Sequence, residues 1–147
     1  MKKFLPLAVS VVTLAFAHPR NYIDALRSYT GSRYLDVTCS ALICKAHNRV
    51  STTQANCTAE ELWDGCEGEL GDVAASENLA LLDWSRMQAG DIVDINGIHV
   101  LAYLGDGKCI TSDPMLGGVN EITVSKVVEK KYDQWFSGPV RVKRWNR

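Results

Sequence analysis

The apolar pattern of this chain changes its period once, and that change limits the fold more than any other feature. In the first half it is helical. Cys39, Leu42, Ile43, Ala46 and Val50 recur at the i, i+3, i+4, i+7 spacing of a helix with one buried stripe. Residues 22–29 have a similar spacing, ended by Thr30-Gly31-Ser32, and predict a short lead-in helix. Thr58 followed by Glu61 has the form of a capping box and predicts a further helix that ends near Gly65-Cys66. From Met87 onward the period is two. Ile92, Val93 and Ile95 begin a strand before the tight Asn96-Gly97 turn, and Val140 and Val142 share one face of a closing strand. Helices first and antiparallel strands after them predict an α+β domain. Residues 67–83 hold two weak segments, Leu70 to Ala75 and Asn78 to Leu82, that read as loop or short helix, and the sequence has no repeat or low-complexity tract.

Between these strands lies the most specific register the sequence offers. Residues 98–104 and 108–112 are joined by Gly105-Asp106-Gly107, which suits a three-residue hairpin loop with Gly107 in a left-handed bulge position. That loop sets Leu104 opposite Lys108, Tyr103 opposite Cys109, Leu101 opposite Thr111 and His99 opposite Asp113. A two-residue loop would instead put Asp113 on the other face from His99, leaving Thr111 or Ser112 as its neighbour.

The first seventeen residues stand apart. Lys2 and Lys3 precede an apolar run from Phe4 that ends in Ala15-Phe16-Ala17, the pattern of a secretory signal peptide with a small-x-small cleavage site. The run contains Pro6 and is shorter than the ~20 apolar residues of a membrane span. Residues 18–147 then form one domain, long enough for a real core and too short for two ordinary ones. The full chain has a formal net charge of −1, and it excludes the strongly basic balance of a nucleic-acid binder. Lys130-Lys131 and the Arg141 to Arg147 tail are local basic patches that read as solvated faces.

Five cysteines in an exported chain imply two disulfides and one unpaired thiol. With Cys39 as the unpaired one, Cys44, Cys57, Cys66 and Cys109 allow three connectivities. A zinc set built on Cys44, His47, Cys57 and Cys66 lacks the short ligand spacing of structural zinc sites, so no metal is expected.

Cys39 stands where a helix begins, and a thiol must become a thiolate to attack a carbonyl. A helix N-terminus and an adjacent imidazolium both lower a thiol pKa, and His99 at the start of a strand can supply the imidazole. Asp113, across the hairpin, is the candidate that fixes the tautomer of His99. Tyr34, just upstream of Cys39, is a candidate groove residue, whereas Trp63, Trp84, Tyr103 and Trp135 read as core. Asn56-Cys57-Thr58 matches a glycosylation sequon that has meaning only in a eukaryotic host.

Taken together, these segments resemble a known superfamily. Cys39-Ser40-Ala41-Leu42-Ile43 is similar to the Asp-Cys-Ser-Gly-Phe-Val nucleophile motif of the papain-like NlpC/P60 peptidoglycan hydrolases. Gln88-Ala89-Gly90-Asp91-Ile92-Val93, and the segment that starts His99-Val100-Leu101-Ala102-Tyr103-Leu104, resemble that family's Pro-Gly-Asp-Leu-Val and His-Val-Gly-Ile-Tyr-Leu stretches. Size and export signal look most like the type VI secretion amidase effectors and their secreted eukaryotic counterparts, the domesticated amidase effectors. Asp36 lies three residues before Cys39 instead of directly before it, Ala41 replaces the usual glycine, and Thr111 stands where the family often has a second histidine.

The resemblance implies a nucleophile helix packed on an antiparallel sheet, and a secreted cysteine amidase acting on bacterial peptidoglycan stem peptides. It would cut either the D-glutamyl–diaminopimelate bond or the diaminopimelate–D-alanine crosslink. Cys39 would attack, His99 would serve as acid and base, Asp113 would orient it, and backbone N–H groups would hold the oxyanion, without metal or cofactor. A bacterial host would imply a proteinaceous inhibitor as partner. The competing readings are a disulfide-stapled binding or immunity protein that keeps the fold without its chemistry, and a lipid acyltransferase of the same superfamily.

Overall fold

A computed structural model describes residues 21–129 and 137–146. The segment 1–17 expected to be a signal peptide, Lys130-Lys131, Trp135 and Arg147 lie outside the described residues. Among the described residues three helices come first: α1 (Tyr22–Ser28), α2 (Cys39–Val50) and α3 (Ala59–Trp63). Strand β1 (Leu70–Ser76) and two single 3₁₀ turns, Leu79–Leu81 and Trp84–Arg86, connect them to β2 (Ile92–Ile95), β3 (His99–Gly105) and β4 (Lys108–Asp113). A 3₁₀ turn, Pro114–Leu116, then leads to β5 (Gly118–Thr123), the short helix α4 (Val124–Val127) and β6 (Val140–Trp145).

The six strands form one antiparallel sheet in the order β1-β6-β2-β3-β4-β5. The expected α+β class holds, with α1, α2 and α3 on one face and α4 on the other. Ile92, Val100, Ala102, Leu104, Ile110 and Val119 meet Leu42, Ile43 and Ala46 of α2 in one buried cluster. On the opposite face Val93, Ile95, Leu101, Cys109, Val140 and Val142 pack under Leu79, Leu82, Met87 and Val127. The 67–83 stretch thus supplies an edge strand, in place of the expected loop or short helix at its first segment, and a cover for the second face. Among the aromatic residues, Trp84 and Tyr103 pack half-buried on this second face, 5.8 Å apart, and Trp63 lies under the Arg141 guanidinium.

Helix α2 begins as its sequence requires. Thr38 is extended and its hydroxyl caps the Ala41 N–H, so the helix starts at Cys39. Cys39, Leu42, Ile43 and Ala46 are buried, but Val50 is 39% exposed, because the helix runs past the edge of its contact there. Helix α3 carries the full capping box between Thr58 and Glu61 and ends at Trp63, two residues before Gly65.

The cysteines differ from expectation. One disulfide, Cys57–Cys66, is present among the described residues, and Cys39, Cys44 and Cys109 are buried free thiols. Cys44 and Cys109 belong to cores on opposite faces of the sheet, which prevents their pairing. Cys44 instead lies against Cys57, whose N–H donates to its sulfur at 3.3 Å. His47 stacks on Trp145 with ring centroids 3.8 Å apart.

The β3–β4 hairpin also corrects its expected register. The turn has two residues, Asp106-Gly107, both at positive φ (51° and 72°), the backbone of a type I′ turn. Gly105, not Leu104, pairs with Lys108, and a bulge between Tyr103 and Gly105 restores the register Tyr103↔Cys109 and Ala102↔Ile110. The extra bulged residue has the same effect on strand phase as a third loop residue. It keeps His99, Thr111 and Asp113 on one side. Ladder pairing stops at Ala102↔Ile110, so Leu101 and Thr111, and His99 and Asp113, are not ladder partners.

Candidate active site

The place where the ladder stops is where the sequence-derived residues gather. Beyond Ala102↔Ile110 the Val100 backbone is released from β4, and both of its polar groups turn to the site. Its carbonyl accepts a hydrogen bond from the Thr111 hydroxyl at 2.8 Å, and its N–H lies close to the sulfur of Cys39. The Cys39 thiol of α2 therefore reaches the sheet one residue from His99.

Cys39 is the first residue of α2, and the first N–H groups of a helix have no partner within it. Thr38 takes the Ala41 N–H, and Leu42 N–H begins the helical ladder by donating to Thr38 O. The N–H groups of Cys39 and Ser40 are left, and they lie close to the thiol sulfur, as does the Val100 N–H. These three donors favour the thiolate. Burial outweighs them, with Cys39 only 6% exposed, and pushes the thiol pKa up. The helix start alone does not lower it, contrary to the sequence expectation.

His99 is buried at 3% exposure, and its Nε2 lies 3.1 Å from the Thr111 hydroxyl and 4.0 Å from Asp113 Oδ2. Thr111 has a single hydroxyl proton, and that proton goes to the Val100 carbonyl. The hydroxyl oxygen must then accept from His99, which assigns the hydrogen to Nε2 and leaves Nδ1 as the base nitrogen. Desolvation brings the His99 pKa down to about 4, opposed in part by the charge of Asp113. At neutral pH the His99 imidazole is neutral and the Cys39 thiol is protonated. Asp113 is itself buried and also caps the following turn by accepting from Met115 N–H at 2.8 Å.

The loop before Cys39 is fastened to the far strands. Ser112 donates its hydroxyl hydrogen to the Val37 carbonyl, so it anchors the loop and does not orient His99. Gly31 N–H donates to Val119 O and Val119 N–H to Ser32 O, both at 2.9 Å, extending β5 onto the loop. Gly118 permits this approach, since a Cβ there would overlap the Ser32 carbonyl oxygen and its φ is +121°. Beside the loop is an open groove of about 620 Å³ lined by Arg33, Tyr34, Leu35, Asp36, Pro114 and Gly117. Leu35 and Met115 stand 89% and 67% exposed there and at the adjoining turn. Half-buried Tyr34 lies within electrostatic reach of both Cys39 and Asp113, and its phenol is held above its ordinary pKa, chiefly by burial. The groove thus adjoins the buried Cys39 thiol.

Of the sequence-derived residues, His99, Thr111 and Asp113 form one cluster, Cys39 is held at the neighbouring backbone, and Ser112 serves the loop. Sequence reasoning missed Asp94, a charged residue in the apolar run Ile92-Val93-Asp94-Ile95 that is completely buried beside the site. No protein-family model matches this chain, and no curated protein does. Among the described residues no helix is long and apolar enough to cross a membrane.

Proposed function

We propose that the chain is a secreted cysteine amidase that cleaves amide bonds in peptidoglycan stem peptides, on a papain-like NlpC/P60-type domain. The observation that carries the reading is the release of the Val100 backbone from the sheet, whose N–H meets the Cys39 sulfur while its carbonyl fixes Thr111 and, through it, His99. A purely structural thiol needs neither an oriented imidazole nor three N–H donors.

The chemistry follows from the resting protonation states. His99 Nδ1 takes the Cys39 proton as sulfur attacks the amide carbonyl, so proton transfer accompanies attack instead of preceding it. The N–H groups of Cys39 and Ser40 lie at the helix start, where the oxyanion of the tetrahedral intermediate would form. The imidazolium then protonates the leaving amine. Its positive charge is stabilised by Asp113, and the neutral imidazole that remains activates water against the thioester. Substrate enters along the 33–36 loop, where Arg33 and Asp36, paired at 2.8 Å, offer both charges to a zwitterionic stem peptide. Stem-peptide amides are the partner class; the cut lies at the D-glutamyl–diaminopimelate bond or at the diaminopimelate–D-alanine crosslink.

The test is clearing of purified sacculi by the mature protein, followed as loss of turbidity. Wild type should clear a suspension that Cys39→Ala leaves turbid. Equal behaviour of the two proteins would overturn the assignment and favour the binding protein.

A further inference from the structure

Among the described residues Asp94 is the fully buried carboxyl near Cys39 that the chemistry above leaves unused. It follows Ile92 on the helix-facing side of β2 and has no exposed surface. Its direct ladder partner on β3 is Val100, the residue whose N–H holds the Cys39 sulfur. One carboxyl oxygen accepts from Gly97 N–H at 3.0 Å, and the other, Oδ2, has no hydrogen-bond partner among the described residues. A buried polar atom without a partner is costly enough that its retention calls for a role.

The surrounding charges do not neutralise this group. From β6, Arg141 is the ladder partner, but its guanidinium donates to the Trp63 carbonyl at 3.2 Å and lies 4.3 Å over the Trp63 ring. Lys143, also on β6, commits its ammonium to Asp72 at 2.5 Å. Asp64, just past α3, adds a like charge, and Cys39 faces Asp94 from α2. On β3, His99 precedes Val100 and is neutral at working pH.

We propose that Asp94 is a positioning residue of the site, whose buried negative charge opposes the Cys39 thiolate and keeps the thiol protonated until His99 removes its proton during attack. The inference rests on the assignment of Cys39 as nucleophile. Burial supports it, raising the Asp94 carboxyl to about 7, so that its charge appears as the pH passes through neutrality. The cause is desolvation first, with the Gly97 hydrogen bond and the two distant cations opposing it.

The experiment is the rate of Cys39 alkylation by iodoacetamide from pH 5 to 10 in the intact, disulfide-bonded protein. It is read on the Cys39 peptide by mass spectrometry so that Cys44 and Cys109 do not contribute. Asp94→Asn keeps the acceptor for Gly97 and removes the charge. It should alkylate roughly tenfold faster at pH 8, with its profile moved by about one pH unit toward acid. Superimposable profiles would overturn the proposal. If the variant does not fold, wild type decides: a bend near pH 7 preceding the thiol titration supports the role, and a single-ionisation curve overturns it. The readout needs no substrate. A shifted profile with inert sacculi would therefore sink only the amidase reading, and an unshifted profile with active enzyme only the role of Asp94.

Discussion

The imidazole of His99 meets the Thr111 hydroxyl at 3.1 Å and, farther away, the Asp113 carboxylate at 4.0 Å. These distances divide two tasks for which the sequence offered Asp113, with Thr111 or Ser112 as the alternative. Thr111 selects the tautomer, and Asp113 supplies charge once the ring is protonated. Thr111→Val should keep the fold and lower kcat by roughly tenfold to a hundredfold, with KM little changed, in steady-state hydrolysis of a stem peptide. Asp113→Asn should move the acid limb of kcat/KM to lower pH, because the charge of Asp113 raises the His99 pKa against burial. A second pH effect concerns stability. His99 has its folded pKa at about 4, below the ~6.5 of an unfolded histidine, so its contribution is present above about 6.5 and is lost as pH falls toward 4. Asp94 has the opposite sign, its folded pKa of about 7 lying above the unfolded value, so its contribution is lost as pH rises toward 7. Urea midpoints at pH 5 and 7 should show this. Relative to wild type, His99→Gln should lose the stabilisation gained between pH 5 and 7, whereas Asp94→Asn should enlarge it.

At the scale of elements, the hairpin was legible in part. The Tyr103↔Cys109 register follows from the glycines and the alternation, but the chain reaches it through a two-residue turn and a bulge at Leu104, which no local residue pattern announces. Helices α1, α2 and α3, together with β2 and β6, follow from period, caps and turns. Strand β1 does not: Leu70-Gly71-Asp72-Val73-Ala74-Ala75-Ser76 is poor in β-branched and aromatic residues, and it owes its structure to pairing with β6 at the sheet edge. Strand β5 is a second edge, and it is held in part by the loop that precedes Cys39. Cys39 and His99 were legible as types at element starts, whereas buried Asp94 depends on a tertiary neighbour that the sequence leaves unspecified. Gly118 is where this edge and the site are joined. Gly118→Ala should displace the 31–36 loop, lower the urea midpoint by an amount equivalent to about 2 kcal/mol or more, and reduce hydrolysis further than the stability loss explains.

The whole molecule is a sheet with a core on each face, and its cysteines are divided between those cores. The oxidised protein should yield three titratable thiols on denaturation without reductant, in place of the one expected from two disulfides. Reduction of Cys57–Cys66, which span nine positions, should cost about 2–3 kcal/mol and lower Tm by several degrees. The disulfide count was not legible, because it depends on which face of the sheet each cysteine occupies. The central claim is that Cys39 and His99 together hydrolyse a stem-peptide amide. It is tested most directly by mass spectrometry of fragments from peptidoglycan of both lysine and diaminopimelate types, incubated with wild type, Cys39→Ala and His99→Ala. The expected result is one new pair of amide-cleavage products from wild type, absent with either variant, whose masses identify the bond. Intact fragments from folded wild type on both walls, or products that persist in Cys39→Ala, would contradict it.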